Sequence, residues 1–361
     1  MSRIAVIGAG YWGKNLVRVF SELTVLAAIC DRDEAALRQF GQEYPECTLS
    51  LSPTELFRDA SINAVAIATP AETHGDLVRD ALQAGKDVFV EKPLCLTVEV
   101  GRELVKLAAD LGRILMVGHV LWYHPAIIAL KQLIDRGELG RVQYIYSNRL
   151  NLGRIRREEN ILWSFAPHDV SVMLGLLDEM PEEVQAQGGN YLHPRIADTT
   201  VSLLTFPSGV KAHVFVSWLH PYKEQKLVIV GSKKMAVFDD MEPSDKLVLY
   251  PHSIEWKAHL PVPTKMAAEI VPVEMVEPLR AECAHFLACL ATRQKPKTDG
   301  AEGLRVVQVL QQCQRSLEGG GRFNTLPTGL GSSRVIWRMN QPSSTRAWRS
   351  AQARRSGMCR T

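Results

Sequence analysis

Gly8-Ala9-Gly10-Tyr11-Trp12-Gly13 carries the spacing GxGxxG, and Asp31 follows eighteen residues after Gly13. Between a strand and a helix, this pattern is built for a dinucleotide. The first glycine permits a tight turn and the second lets a pyrophosphate approach the backbone. The third lets helix and strand pack closely, and the helix N-terminus attracts the anion. A carboxylate at Asp31 can accept hydrogen bonds from the adenosine ribose hydroxyls, which favours NAD. Arg32 beside it could instead meet the 2′-phosphate of NADP.

Glu91-Lys92-Pro93 follows an apolar strand and puts Lys92 at the carboxyl edge of a parallel sheet, where ligands of doubly wound folds lie. An ammonium there can hydrogen-bond a hydroxyl and stabilise an alkoxide. Taken alone, such a lysine is more often an ordinary surface residue in a turn. Trp163 to Asp169 is a second polar knot. Pro167 suits a first helical turn, which predicts a helix over about 167–178 with His168 and Asp169 at its start, facing a cleft. His168 can take a proton; taken by itself it is more often a packed histidine beside a capping Asp169. Asn148, Arg149, Asn151, Arg154, Arg156 and Arg157 form a basic, amide-rich run. Arginine forks bind phosphate bidentately, so the run suits a diphosphate, though any one of its arginines is more often solvated. His119, Trp122, Tyr123 and His124 are expected at a domain junction. They lack zinc spacing, and no metal site is expected.

These residues need a frame. Short apolar strands are expected at 3–7, 25–30, 63–68, 87–90 and 114–117. Helical stretches alternate with them at 14–23, 34–44, 74–84 and 98–111, the last two closed by Gly85 and Gly112. That alternation predicts an α/β fold with a doubly wound parallel Rossmann sheet. After a helix at 125–135, period-two strands at 140–150, 184–187, 199–206, 210–216, 226–231, 234–239 and 246–250 predict an α+β second domain with a large, mainly antiparallel open sheet. Helices at 277–293 and 301–317 close it. The expected division is 1–120 for the nucleotide domain, 121–328 for the second domain, and 329–361 for a disordered basic tail.

The 361 residues are 46% hydrophobic and 22% charged, enough for two ordinary cores and against global disorder. No apolar run approaches the roughly 18 to 20 residues of a membrane helix, and no export signal is visible. Seven scattered cysteines without a CxxC pair fit reduced thiols in a cytoplasmic protein. The formal charge of +3 is uneven. Residues 331–361 hold seven of the 42 basic residues and no acid, leaving 35 basic against 39 acidic residues elsewhere, a net of −4. Nucleic acid is therefore not an expected partner. With chosen codons, the DNA of residues 343–358 also reads, in another frame, Ile-Asp-Glu-Gly-Val-Glu-Ile-Gly. That string resembles a hexapeptide-repeat acyltransferase, so the tail is also read as an out-of-frame remnant of a fused domain.

The glycine motif, Ala68-Thr69-Pro70 with His74, Glu91-Lys92-Pro93 and the β-rich second half together resemble the Gfo/Idh/MocA oxidoreductase family over about residues 1–325. The resemblance implies oxidation or reduction of a sugar or cyclitol hydroxyl with NAD(P). It also implies an open sheet that joins copies into a homodimer or homotetramer. Carried over, Lys92 is the catalytic lysine and His168 the histidine of the DxxxH signature, with Asp169 as a further catalytic candidate. Ser164 stands where the signature has its carboxylate. Cofactor contacts fall to Gly8, Gly10, Tyr11, Trp12, Gly13, Asp31, Arg32, Thr69, Pro70, His74, Glu91 and Lys92. Substrate contacts fall to Lys92, His119, Tyr123, Asn148, Asn151, Arg154, Arg156, Arg157 and His168. The runs 148–160 and 163–169 look most like nucleotide-sugar 3-dehydrogenases acting on UDP-N-acetylglucosamine or its uronic acid, in surface-polysaccharide or lipid A sugar synthesis. The alternatives are a dehydrogenase of a free sugar or cyclitol, and a non-catalytic NAD-binding sensor.

Overall fold

A computed structural model describes residues 2–153, 155–157 and 159–326. Arg154 and the expected tail lie outside the described residues. In chain order the first part runs β1 (Ile4–Ile7), α1 (Gly13–Glu22), β2 (Leu26–Cys30), α2 (Glu34–Glu43), β3 (Thr48–Ser50) and α3 (Pro53–Arg58). It continues with β4 (Ala64–Ile67), α4 (His74–Gln83), β5 (Asp87–Glu91), α5 (Val98–Asp110) and β6 (Leu115–Gly118). Six parallel strands lie in the order β3-β2-β1-β4-β5-β6. β1, β4, β5 and β6 are buried along their whole length because helices cover both faces, which is why they read as unbroken apolar runs. The sequence reading missed β3 and α3. β3 is three residues long with two of them exposed, so it carries no apolar run to detect.

The second part runs α6 (Pro125–Asp135), β7 (Val142–Leu150), α7 (Ile161–Leu177), β8 (Glu183–Gly189), β9 (Thr199–Thr205), β10 (Lys211–Ser217), β11 (Glu224–Gly231), β12 (Met235–Asp239) and β13 (Leu247–Tyr250). It ends with β14 (Ser253–Lys257), β15 (Leu260–Thr264), β16 (Glu269–Ile270), α8 (Pro278–Thr292), α9 (Gly300–Glu318) and β17 (Asn324–Thr325). Nine strands form one sheet, β16-β13-β12-β11-β7-β10-β9-β8-β17. Its pairs are antiparallel except β7 with β10, whose parallel register sets Ser147 opposite Val214. One face packs on helices. The other is open, so β9 alternates buried Thr200, Ser202 and Leu204 with exposed Val201 and Leu203.

The helix expected over 167–178 is longer. It begins at Ile161, where Asn160 caps it by accepting the Trp163 N–H at 3.2 Å, and Pro167 lies in its interior. His168 and Asp169 therefore sit in mid-helix and not at an N-terminus. An asparagine before the apolar run Ile161-Leu162-Trp163 is a helix start signal. Among the described residues no helix is long and apolar enough to cross a membrane, and Cys30, Cys47, Cys95, Cys283, Cys289 and Cys313 are free thiols.

Candidate active site

The glycine loop connects β1 to α1. Gly8 has φ +88°, and a Cβ there would lie 2.8 Å from the Thr69 backbone nitrogen on the loop after β4. At Gly13 a Cβ would strike the Gly8 carbonyl, so this glycine lets the first turn of α1 close onto the strand. Around Gly10 there is nothing within 4 Å of a built Cβ, which leaves the backbone open where a pyrophosphate would approach. Asp31, just after β2, accepts the Ala9 N–H at 2.7 Å and the Asp33 N–H at 3.0 Å. It thereby fixes the glycine loop in addition to standing where it was expected to meet the ribose, while Arg32 lines the cleft. These features fit a dinucleotide: an open backbone at Gly10, the N-terminus of α1 and a carboxylate held at the strand end.

A cleft of about 420 Å³ opens beside this loop. Of the residues expected at the cofactor, Gly10, Tyr11, Trp12, Arg32, Thr69, Pro70, Glu91 and Lys92 line it. His74 does not, but it staples the cleft's walls: Nδ1 lies 2.7 Å from the Pro93 carbonyl and Nε2 lies 2.9 Å from the Thr69 carbonyl. Glu91 is buried and accepts the Trp12 indole N–H, and burial pushes its pKa up.

Lys92 and His168 share a wall of this cleft. Lys92 Nζ donates to the Ser164 carbonyl oxygen at 2.7 Å, and burial holds its pKa below the ordinary lysine value. His168 stands one helical turn after Ser164. Its Nδ1 is buried without a partner, so Nε2 is the nitrogen available to the cleft. Burial, with Lys92, Arg149 and His119 nearby, holds its imidazole well below the ordinary histidine pKa, so it is neutral at pH 7. The Ser164 hydroxyl is buried and has no hydrogen-bond partner.

Several expected residues stand elsewhere. Asp169 turns to β7, where it accepts Arg149 Nε at 2.7 Å, Arg149 Nη2 at 3.1 Å and the Ser147 hydroxyl at 2.6 Å. It is 4% exposed and off the cleft. Asn148 lies between Ser147 and Arg149 on the strand, so it points to the other face of the sheet, where it donates to Glu224 at 2.7 Å. Tyr123 is buried with its hydroxyl 3.3 Å from Thr298 Oγ1. His119 is 1% exposed, its Nδ1 2.5 Å from Glu302. Asn151 donates its backbone N–H to the Ser217 carbonyl at 3.1 Å. In the loop before α7, Arg156 lines the cleft and Arg157 is exposed. Glu159, which the sequence reading passed over, also lines the cleft and pairs with Arg156 at 2.9 Å.

Residues 2–119 match the family model GFO_IDH_MocA, described as an oxidoreductase family with an NAD-binding Rossmann fold, and residues 127–237 match the GFO/IDH/MocA C-terminal domain. The chain is 37% identical over 264 residues to the uncharacterized oxidoreductase YdgJ of Escherichia coli, 68% of this chain and 73% of that protein. It is 26% identical over 317 residues to the UDP-N-acetylglucosamine 3-dehydrogenase of Acidithiobacillus ferrooxidans, 88% of this chain and 97% of that one. A solved structure of that dehydrogenase superposes with a TM-score of 0.77 at 25% identity, over 88% of this chain and 98% of the other. The scyllo-inositol 2-dehydrogenase (NAD(+)) of Bacillus subtilis is 30% identical over 237 residues, 61% of this chain and 68% of that one.

Proposed function

Because the chain belongs to the Gfo/Idh/MocA oxidoreductase family, we propose that this NAD-binding dehydrogenase oxidises a ring hydroxyl of a nucleotide sugar, at C3 of a UDP-N-acetylglucosamine-type substrate. The observation that carries the reading is the shared cleft wall of Lys92 and His168 beside the glycine loop. The glycine loop, Asp31 and Arg32 would hold the dinucleotide, which when bound would supply the hydride acceptor. His168 Nε2, neutral at pH 7, takes the hydroxyl proton. Lys92 donates a hydrogen bond to the same oxygen and stabilises the alkoxide as the C–H bond breaks. Its bond to the Ser164 carbonyl oxygen aims it from β5 toward the turn that presents His168. In this reading Asp169 is structural.

Arg156 supports an anionic substrate, since it stands at the cleft with its charge shared only with Glu159 among the ion pairs described. The near full-length likeness to a UDP-N-acetylglucosamine 3-dehydrogenase supports it further. Likeness to a scyllo-inositol dehydrogenase supports the second reading, a cyclitol or free-sugar substrate. The test presents UDP-N-acetylglucosamine, its uronic acid, free N-acetylglucosamine and scyllo-inositol to the NAD-loaded protein and follows reduced-nicotinamide absorbance. Turnover of a UDP-sugar, weakened in Arg156→Ala, is expected. Preference for scyllo-inositol or the free sugar overturns the first reading. We also propose that the open sheet face, with Val201, Leu203, Tyr144 and Tyr146, joins copies of the chain.

A further inference from the structure

A second cavity, of about 530 Å³, shares no lining residue with the cofactor cleft. Its walls come from α6, α7, the segment before α9 and the first turns of α9, with Trp122 from the turn between β6 and α6. That volume suits a small molecule. Trp122, Ile128, Leu174 and Pro296 form its apolar part. The Trp122 indole packs directly on the backbone of α7, where a Cβ at Gly175 would lie 1.9 Å from the ring.

The polar part of the wall carries unbalanced charge. Three carboxylates line the cavity, and each is engaged. Asp178 pairs with Lys131 at 2.9 Å. Asp299 pairs with Lys295 at 2.8 Å and caps α9 by accepting the Glu302 N–H at 2.8 Å. Glu302 accepts the Ser171 hydroxyl at 2.5 Å and lies 2.5 Å from His119 Nδ1. Two lining cations, Lys297 and Arg305, have no carboxylate partner among the described residues. Lys297 Nζ stands 5.9 Å from the Trp122 ring centre and 5.6 Å from that of Tyr123. Arg305 donates Nη2 to the Glu179 carbonyl at 3.1 Å and Nε to the Met180 sulfur at 3.3 Å, which leaves Nη1 free to bind.

We propose that this cavity binds a small organic anion, with its carboxylate or phosphate at Lys297 and Arg305 and its apolar body on the Trp122 indole. An anion neutralises two cations that the protein leaves unmatched, and a guanidinium suits either head group. The N-terminus of α9 favours the same sign of charge. A neutral ligand would leave the cations unanswered, and a bare inorganic anion would leave the indole and Leu174 uncovered. Because the two sites share no lining residue, the occupant is neither the dinucleotide nor the sugar.

Calorimetric titration of the NAD-loaded protein tests the site without any substrate. The probes are phenyl phosphate and benzoate, compared with neutral benzamide and inorganic phosphate. Saturable binding of phenyl phosphate or benzoate is expected, about tenfold tighter than either comparison and weaker at high salt. Whichever of the two binds tighter identifies the head group as phosphate ester or carboxylate. Lys297→Met and Arg305→Gln should each weaken binding about 10- to 100-fold, as the loss of one charged hydrogen bond does. Arg156→Ala, in the cofactor cleft, should leave it unchanged. Lys297 is exposed, so its variant is expected to fold and decides the matter alone if Arg305→Gln does not. Absence of saturable binding by both organic anions overturns the proposal. So does equal binding of benzamide or inorganic phosphate, or binding lost in Arg156→Ala and kept in Lys297→Met.

Discussion

Lys92 Nζ and the Ser164 carbonyl oxygen are 2.7 Å apart, and this one bond ties the end of β5 to the helical turn that presents His168. It goes to the backbone of Ser164. The side chain at that position therefore takes no part in aiming the lysine.

Replacing Lys92 separates its charge from its position. Lys92→Ala is expected to lower kcat by about 10²- to 10⁴-fold with NAD binding nearly intact. The folded pKa lies below the ordinary 10.5, so the donor is lost, and kcat/KM falls, before pH 10.5 is reached. In that window the unfolded chain binds more protons, so stability rises with pH while activity falls. Lys92→Arg stays charged and should remove this alkaline limb. A limb that persists in the arginine variant belongs to another group.

His168→Ala should cost a similar factor, while Ser164→Ala should cost little. The Ser164 hydroxyl is buried with no partner, so its removal relieves a desolvated polar group and should leave stability unchanged or raise it by about 1 kcal/mol. The acid limb of kcat/KM should lie below pH 6.5, because His168 is held well below that value. Between its folded pKa and 6.5 the unfolded state binds more protons, so stability declines as pH falls through the window. Near-normal turnover by His168→Ala would remove it from the reaction.

Cofactor choice turns on Asp31. Its carboxylate is fixed by the N–H groups of Ala9 and Asp33, so a 2′-phosphate would meet a charge that cannot swing away. Higher kcat/KM with NAD than with NADP is expected, and Asp31→Ser should narrow the gap while Arg32 remains to meet the phosphate. Equal or better efficiency of the unaltered protein with NADP would contradict this.

The parallel sheet was legible because burial on both faces turns β1, β4, β5 and β6 into unbroken apolar runs. The cofactor cleft was legible because GxGxxG and the segment around Lys92 are local in sequence and sit at strand ends. What lay beyond reach was facing. Asn148 and Arg149 are adjacent in the same basic run, yet the pleat sends one to the open face and the other inward to Asp169. His119 and Glu302 are 183 residues apart, and no spacing could have joined them. Pro167 misled because proline suits a first turn, and α7 carries it in its interior.

That facing decides what Asp169 does. In mid-helix, one residue after His168, it is turned about 100° away, so the two side chains cannot serve the same cleft from one face. Its carboxylate is closed off by Arg149 and Ser147, and Arg149 is itself buried. Asp169→Ala strands a guanidinium in the core and should cost about 3 to 5 kcal/mol of stability, read by urea denaturation. The double variant Arg149→Met with Asp169→Leu removes both charges and should recover most of that loss, since apolar replacement of a whole buried pair is often neutral. A catalytic Asp169 would give the opposite pattern: Asp169→Ala stable and folded but without turnover, and the double variant no more active than the single one.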